Sequence, residues 1–227
     1  YGPSSTDVLV LRYNENGTLD TSFGDHGVVT YDGGSREEAF SVAIQPDGKI
    51  VVAGDRYGNR TDVLVLRYHP GGTLDTSFNG DGVAVYDSGD SDYGRSLAIQ
   101  RDGKIAVAGL SRGDLLVLRY DVRGNLDASF SGDGVFTYGS PYLDYGNSVA
   151  IQADGKILVA GKCCENEDIL VLRCNPNGEL DTSFGAGGSV THDGGHADFG
   201  YSLAVQSDGK IVVTGESYGD LIVLRFL

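Results

Sequence analysis

Glu37, Asp92, Asp144 and Asp198 recur 55, 52 and 54 residues apart, each four positions before a serine, Ser41, Ser96, Ser148 and Ser202. Carboxylate oxygens are hard ligands, and four that converged would take Ca²⁺ or Mg²⁺, with Ca²⁺ the cofactor to expect. Like charges brought together repel unless they are solvated or neutralised, so such a group would call for a cation. The plainer alternative is that each acid caps its own turn by accepting backbone amides, as Asp does readily. Both readings stay open on the sequence.

A second set has a clearer purpose. Arg12, Arg67, Arg119, Arg173 and Arg225 stand inside apolar runs, where an unpaired charge is costly. Asp20, Asp75, Asp127 and Asp181 follow the first four at eight residues, across a glycine turn. This spacing predicts one structural ion pair per repeat. Other constellations are weaker. GDHG, NGDG and SGDG at 24–27, 79–82 and 131–134 resemble pieces of a calcium loop, but they lack its further ligands and read as turns. His192 and His196 lie near Asp193 and Asp198, yet His192 takes the place of Tyr31, Tyr86 and Tyr138, and no third ligand completes a transition-metal site. No serine-nucleophile motif, zinc motif, phosphate loop or CxxC occurs. A hydrolase or lyase at the acidic face is the remaining enzymatic reading.

These residues are spaced by a tandem repeat. DVLVLRY at 7–13 returns as DVLVLRY, DLLVLRY, DILVLRC and DLIVLRF, with opening aspartates at 7, 62, 114, 168 and 220. Repeats therefore run over 7–61, 62–113, 114–167 and 168–219, with a fifth copy of the strand at 220–227, in one domain over 1–227. Each repeat holds LVLRY, an LD-x-SF turn, a short strand such as GVVTY, an acidic glycine-rich loop, SVAIQ, a DGK turn and KIVVAG. The apolar runs are short, β-branched and of period two, and Asp-Gly marks tight hairpins. Four antiparallel strands per repeat follow. DVLVLRY is apolar on both faces, Val8 and Val10 on one and Leu9, Leu11 and Tyr13 on the other, so it must be covered on both sides. An all-β propeller, with one surplus strand at a terminus, satisfies these demands. If SVAIQ is innermost, the four acids ring one mouth of the channel.

VAIQPDGKIVVAG, LVLRYNENGTLDTSFG and GDGVAVYD resemble the delta-60 repeat family of uncharacterised bacterial β-propellers, over nearly the whole chain. The resemblance implies a propeller and an exported or cell-surface location, without an assigned activity.

Composition narrows the partners. A formal net charge of −15 repels nucleic-acid backbones and anionic lipid, so neither nucleic acid nor membrane insertion is expected. No apolar run is long enough for a spanning helix. The chain has no methionine, which makes Tyr1 read as a processed end. Cys163, Cys164 and Cys174 cannot all pair, and Cys174 replaces a packing tyrosine.

The segments after KIVVAG differ most between repeats: DRYGNRT at 55–61, LSRG at 110–113, KCCENE at 162–167 and ESYG at 216–219. By strand alternation they share a face with the acids. Arg56, Tyr57, Lys162 and Tyr218 are the recognition residues expected there, for a glycan or protein ligand. Two noncatalytic roles follow, a binding module or a subunit that joins identical copies through the surplus strand.

Overall fold

A computed structural model describes residues 6–226; Tyr1 and Leu227 lie outside the described residues. All regular structure in it is β. Strands β1 (Val8–Leu11) and β2 (Val28–Tyr31) pair with each other. A four-stranded sheet follows, made of β3 (Arg36–Ile44), β4 (Ile50–Tyr57), β5 (Thr61–Tyr68) and β6 (Val83–Tyr86). The next consists of β7 (Asp92–Ile99), β8 (Ile105–Ser111), β9 (Asp114–Tyr120) and β10 (Val135–Tyr138). Then come β11 (Tyr145–Ile151), β12 (Ile157–Cys163), β13 (Asp168–Cys174) and β14 (Ser189–His192). The last sheet has three strands, β15 (Asp198–Val205), β16 (Ile211–Ser217) and β17 (Asp220–Phe226).

Each four-stranded sheet is a meander of antiparallel neighbours, with the SVAIQ-type strand at one edge. The sheets are out of phase with the sequence repeats. β3 and β4 fall in the repeat 7–61, whereas β5 and β6 fall in 62–113. Periodicity sets the length of a unit but not where it begins; hydrogen bonding sets that, and here a sheet begins at the acidic loop.

Among the described residues two compact units emerge, one reaching to Gly94 with Val122–Asn125, and the other Arg95–Asp121 with the chain from Leu126 onward. In the first, Val8, Phe23, Val52, Leu64, Leu66 and Tyr68 form one core. In the second, both faces of β13 are buried: Leu170 and Leu172 face Val117 and Val159, while Ile169 and Val171 face Leu203 and Val213. The demand that DVLVLRY be covered on both sides is met in β5, β9 and β13. It is not met in β1 or β17, where Leu9 is 56% and Leu221 82% exposed.

Neighbouring SVAIQ-type strands are also tied within the second unit. The Val149 amide donates to Ser96 Oγ at 3.2 Å and the Leu203 amide to Ser148 Oγ at 3.1 Å. A bulge follows the acid in β3, β11 and β15, and a glycine faces it from the next strand. A Cβ on Gly161 would lie 1.6 Å from the Tyr145 carbonyl oxygen, so only glycine permits this approach.

Candidate functional site

The two ends of the DVLVLRY strands hold different charge arrangements. At the arginine end, Arg67 Nε donates to Asp75 Oδ2 at 2.8 Å, and the same bond joins Arg12 to Asp20, Arg119 to Asp127 and Arg173 to Asp181. Both Arg67 and Asp75 are buried. Ser77 completes the pair, its hydroxyl donating to Asp75 Oδ1 at 2.6 Å, and the guanidinium lies 4.6 Å from the centre of the Phe78 ring. Lys49, from the preceding DGK turn, adds a second cation 3.2 Å from Asp75 Oδ2. Lys104 and Lys156 do the same for Asp127 and Asp181, both at 2.9 Å. Burial works to raise the Asp75 pKa, but the Ser77 hydrogen bonds, Lys49 and the Arg67 charge outweigh it and hold the carboxyl well below the usual range.

The eight-residue spacing was therefore sufficient to identify the pairs. It did not reveal the serine, the phenylalanine or the lysine. All three are unchanged letters of LD-x-SF and DGK in the four repeats, which was the available signal.

At the aspartate end, Glu37, Asp92, Asp144 and Asp198 are all buried. Each accepts amides from its own loop. Gly33 N and Ser35 N donate to Glu37, both at 3.2 Å. Ser88 N donates to Asp92 at 2.7 Å, Ser140 N to Asp144 at 2.5 Å and Gly194 N to Asp198 at 2.5 Å. Further acids stand beside them: Asp7 and Asp32 next to Glu37, and Asp168 and Asp193 next to Asp198. Burial, followed by the charges of Asp193 and Asp198, raises the pKa of Asp168, with His192 acting in the opposite sense. Asp62 is raised by burial and then by Asp87, with Arg56 opposing and Asp92 adding a smaller upward push.

The variable segments are shorter loops than their sequences suggest. β4 extends to Tyr57 and β5 starts at Thr61, so most of DRYGNRT is strand. Arg112 and Gly113, like Tyr218 and Gly219, have consecutive positive φ and form two-residue hairpin turns. These tips meet the acidic loops, since the Asp144 amide donates to Gly113 O at 2.9 Å and the Asp198 amide to Glu167 O at 2.8 Å.

The four expected recognition residues differ in availability. Arg56 Nε donates to Ser35 Oγ at 3.4 Å, and the Tyr57 hydroxyl donates to Glu38 at 3.0 Å. Lys162 pairs with Glu167 and lies 5.1 Å from the ring centres of both Tyr145 and Phe199. Tyr218 is 74% exposed, its ring 4.2 Å from that of His196. Sequence reasoning overlooked a neighbouring feature. A cleft of about 540 Å³ opens at this end of the second unit, lined by Arg112, Tyr142, Leu143, Cys164, Glu165 and Glu167 among others. The signal was the PYLD run of the third acidic loop, which departs from its counterparts.

The cysteines are free. Burial pushes the Cys174 thiol up to about 12, as suits a residue that packs in the core. No helix of the described residues is long and apolar enough to cross a membrane.

Comparison with known proteins follows the same division between framework and loops. The sequence matches a family described as a domain of unknown function (DUF5122) beta-propeller over residues 3–23, 45–78, 100–130, 152–184 and 206–227, together more than half of the chain. These segments carry the DGK turns, the DVLVLRY strands and the LD-x-SF turns; Glu37, Asp92, Asp144 and Asp198 lie between them. No curated protein matches the sequence. A protein of unknown function from Bacteroides caccae is similar in structure, with a TM-score of 0.55 and 14% identity, over 98% of this chain and 73% of that one. One from Dyadobacter fermentans, also of unknown function, has a TM-score of 0.57 and 13% identity, over 95% of this chain and 62% of that one. A virginiamycin B lyase from Staphylococcus aureus scores 0.45 at 13% identity, over 82% of this chain and 55% of that one, a level that bears on no activity here. This chain thus spans only part of the length of each. The delta-60 designation rests on the sequence resemblance alone, whereas the repeated sheets and the matched segments agree on one assignment: the chain belongs to the DUF5122 β-propeller family.

Proposed function

We propose that the protein is a noncatalytic β-propeller module, exported or held at the cell surface, that binds a glycan or protein through its hairpin-tip face. The observation that carries this reading is the cleft at that face, where Tyr142 and Leu143 stay 45% and 55% exposed beside Arg112, Glu165 and Glu167. Apolar groups among a few charged ones, on tips that vary between repeats, are the composition of a recognition surface. The carboxylates best suited to acid–base work support the same reading, because Glu37, Asp92, Asp144 and Asp198 are buried and accept amides of their own loops.

Glycan and peptide arrays probed with the labelled chain test the proposal. Selective binding that is lost when Tyr142→Ala and Leu143→Ala are combined supports it. Binding that survives in the double variant, or turnover of a bound sugar, contradicts it.

Self-assembly is a second reading, favoured by one observation. β17 is hydrogen-bonded to β16 along one edge, and Leu221 and Val223 on it are 82% and 59% exposed. Light scattering across a concentration series separates the two, since a binding module stays at constant mass.

A further inference from the structure

Asp168 opens β13, Asp193 follows β14 and Asp198 opens β15, so the three meet where one sheet gives way to the next. Their carboxylate oxygens lie within 4.8 Å of one another. The corresponding loops elsewhere show why this group is different. Four positions before the buried acid stand Ser88 and Ser140, whose hydroxyls donate to Asp92 Oδ1 at 3.0 Å and to Asp144 Oδ1 at 3.1 Å. Glu37 is served by the Ser35 hydroxyl at 2.7 Å. The fourth loop has Gly194 at that position, which offers Asp198 only an amide.

Asp198 is 0% exposed, and its Oδ1 is left without a hydrogen-bond partner. Asp168 Oδ1 is buried and unpartnered as well. A buried charged oxygen with nothing bound to it is costly, and here two of them stand together with a third acid alongside. Among the described residues no lysine or arginine forms an ion pair with Asp168, Asp193 or Asp198. Ser217 Oγ supplies another oxygen nearby. It lies 2.7 Å, and Asp198 Oδ1 2.9 Å, from the point a Cβ on Gly194 would occupy.

We infer that Asp168, Asp193 and Asp198 form a Ca²⁺ site, with the Ser217 hydroxyl and water completing the shell. Oxygens at about 2.3–2.6 Å from one Ca²⁺ lie up to about 5 Å apart, whereas Mg²⁺ demands a tighter octahedron. Asp193 is exposed and leaves the ion open to water. Asp7, Asp32 and Glu37 make a similar group, but the oxygens of Glu37 are already engaged by Gly33 and Ser35, so one strong site per chain is expected. Asp114 has no third acid in its loop, because Gly139 stands where Asp193 does.

Calorimetric titration of the full chain with CaCl₂ tests the site. The expected result is one ion per chain with a Kd on the order of 10⁻⁵–10⁻³ M, the range of sensor and extracellular sites. Asp168→Asn and Asp193→Asn should each weaken binding by about tenfold or more, while Asp154→Asn, in an exposed DGK turn, leaves it unchanged. Thermal melting without Ca²⁺ shows that each variant folds. The inference is overturned if the wild-type chain gives no binding heat up to about 10 mM Ca²⁺. Unchanged affinity in folded Asp168→Asn and Asp193→Asn overturns it equally.

Discussion

The strand Asp168–Cys174 ends in two opposite electrostatic situations. Near its C-terminal end, Arg173 and Lys156 both reach Asp181, at 2.8 and 2.9 Å. At its N-terminal end, Asp168 meets Asp193 and Asp198, and no lysine or arginine among the described residues pairs with them. Both ends are well ordered by hydrogen bonds, so order does not distinguish them. Charge compensation does. A buried acid that has its cation supplied by the chain is part of the framework, whereas one whose oxygen has no partner leaves a place for something from outside.

Breaking the compensated end should have the largest effect. Asp75→Ala removes the partner of buried Arg67 and should cost roughly 3–5 kcal/mol, measured by urea denaturation. Loss below about 1 kcal/mol would mean the pair is incidental. Acid should attack the same end. Asp75 faces Arg67, Lys49 and His69, and its folded pKa lies below the ordinary value of 3.8. The stabilisation is therefore fully present well above that value and is lost progressively as pH falls through it towards the lower folded value. Melting temperature should drop between about pH 5 and pH 2, and Asp75→Ala should flatten that part of the profile.

Smaller changes sharpen the other end. Ser140→Ala removes the hydroxyl from Asp144 Oδ1, which keeps the Cys164 amide at 3.3 Å, and should cost about 1 kcal/mol. Asp168→Asn relieves repulsion among three acids and should leave stability in metal-free buffer within about 1 kcal/mol of wild type, or raise it, by the same denaturation measurement. A loss as large as that of Asp75→Ala would show that the two ends do not differ as described.

Much of this comparison was legible in residue spacing. Arginine and aspartate eight apart across a glycine turn could hardly avoid each other, and the pairs Arg67 to Asp75 and Arg173 to Asp181 lie where the spacing placed them. The all-β character followed from period-two runs. Lys49 was less accessible, because its contact with Asp75 requires the DGK turn to lie beside a different turn 26 residues on. The phase of the sheets was hidden too, since repeats that start at DVLVLRY and sheets that start at the acidic loop share one period. For the acids, sequence pointed to Glu37, Asp92, Asp144 and Asp198 as a set. The distinction of Asp198 comes from single letters, Gly194 in place of Ser88 and Ser140, and from Asp168 and Asp193 being brought in by other strands. Such convergence across strand ends has no signature in linear spacing.

Melting the full chain and its Asp168→Asn and Asp75→Ala variants, with and without Ca²⁺, tests the distinction between the two ends most directly. We expect Ca²⁺ to raise the melting temperature of the wild type and of Asp75→Ala, which starts far lower, and to raise that of the weaker-binding Asp168→Asn by clearly less. A Ca²⁺-dependent rise in Asp168→Asn as large as that of the wild type, or a wild-type chain that does not respond, would contradict it.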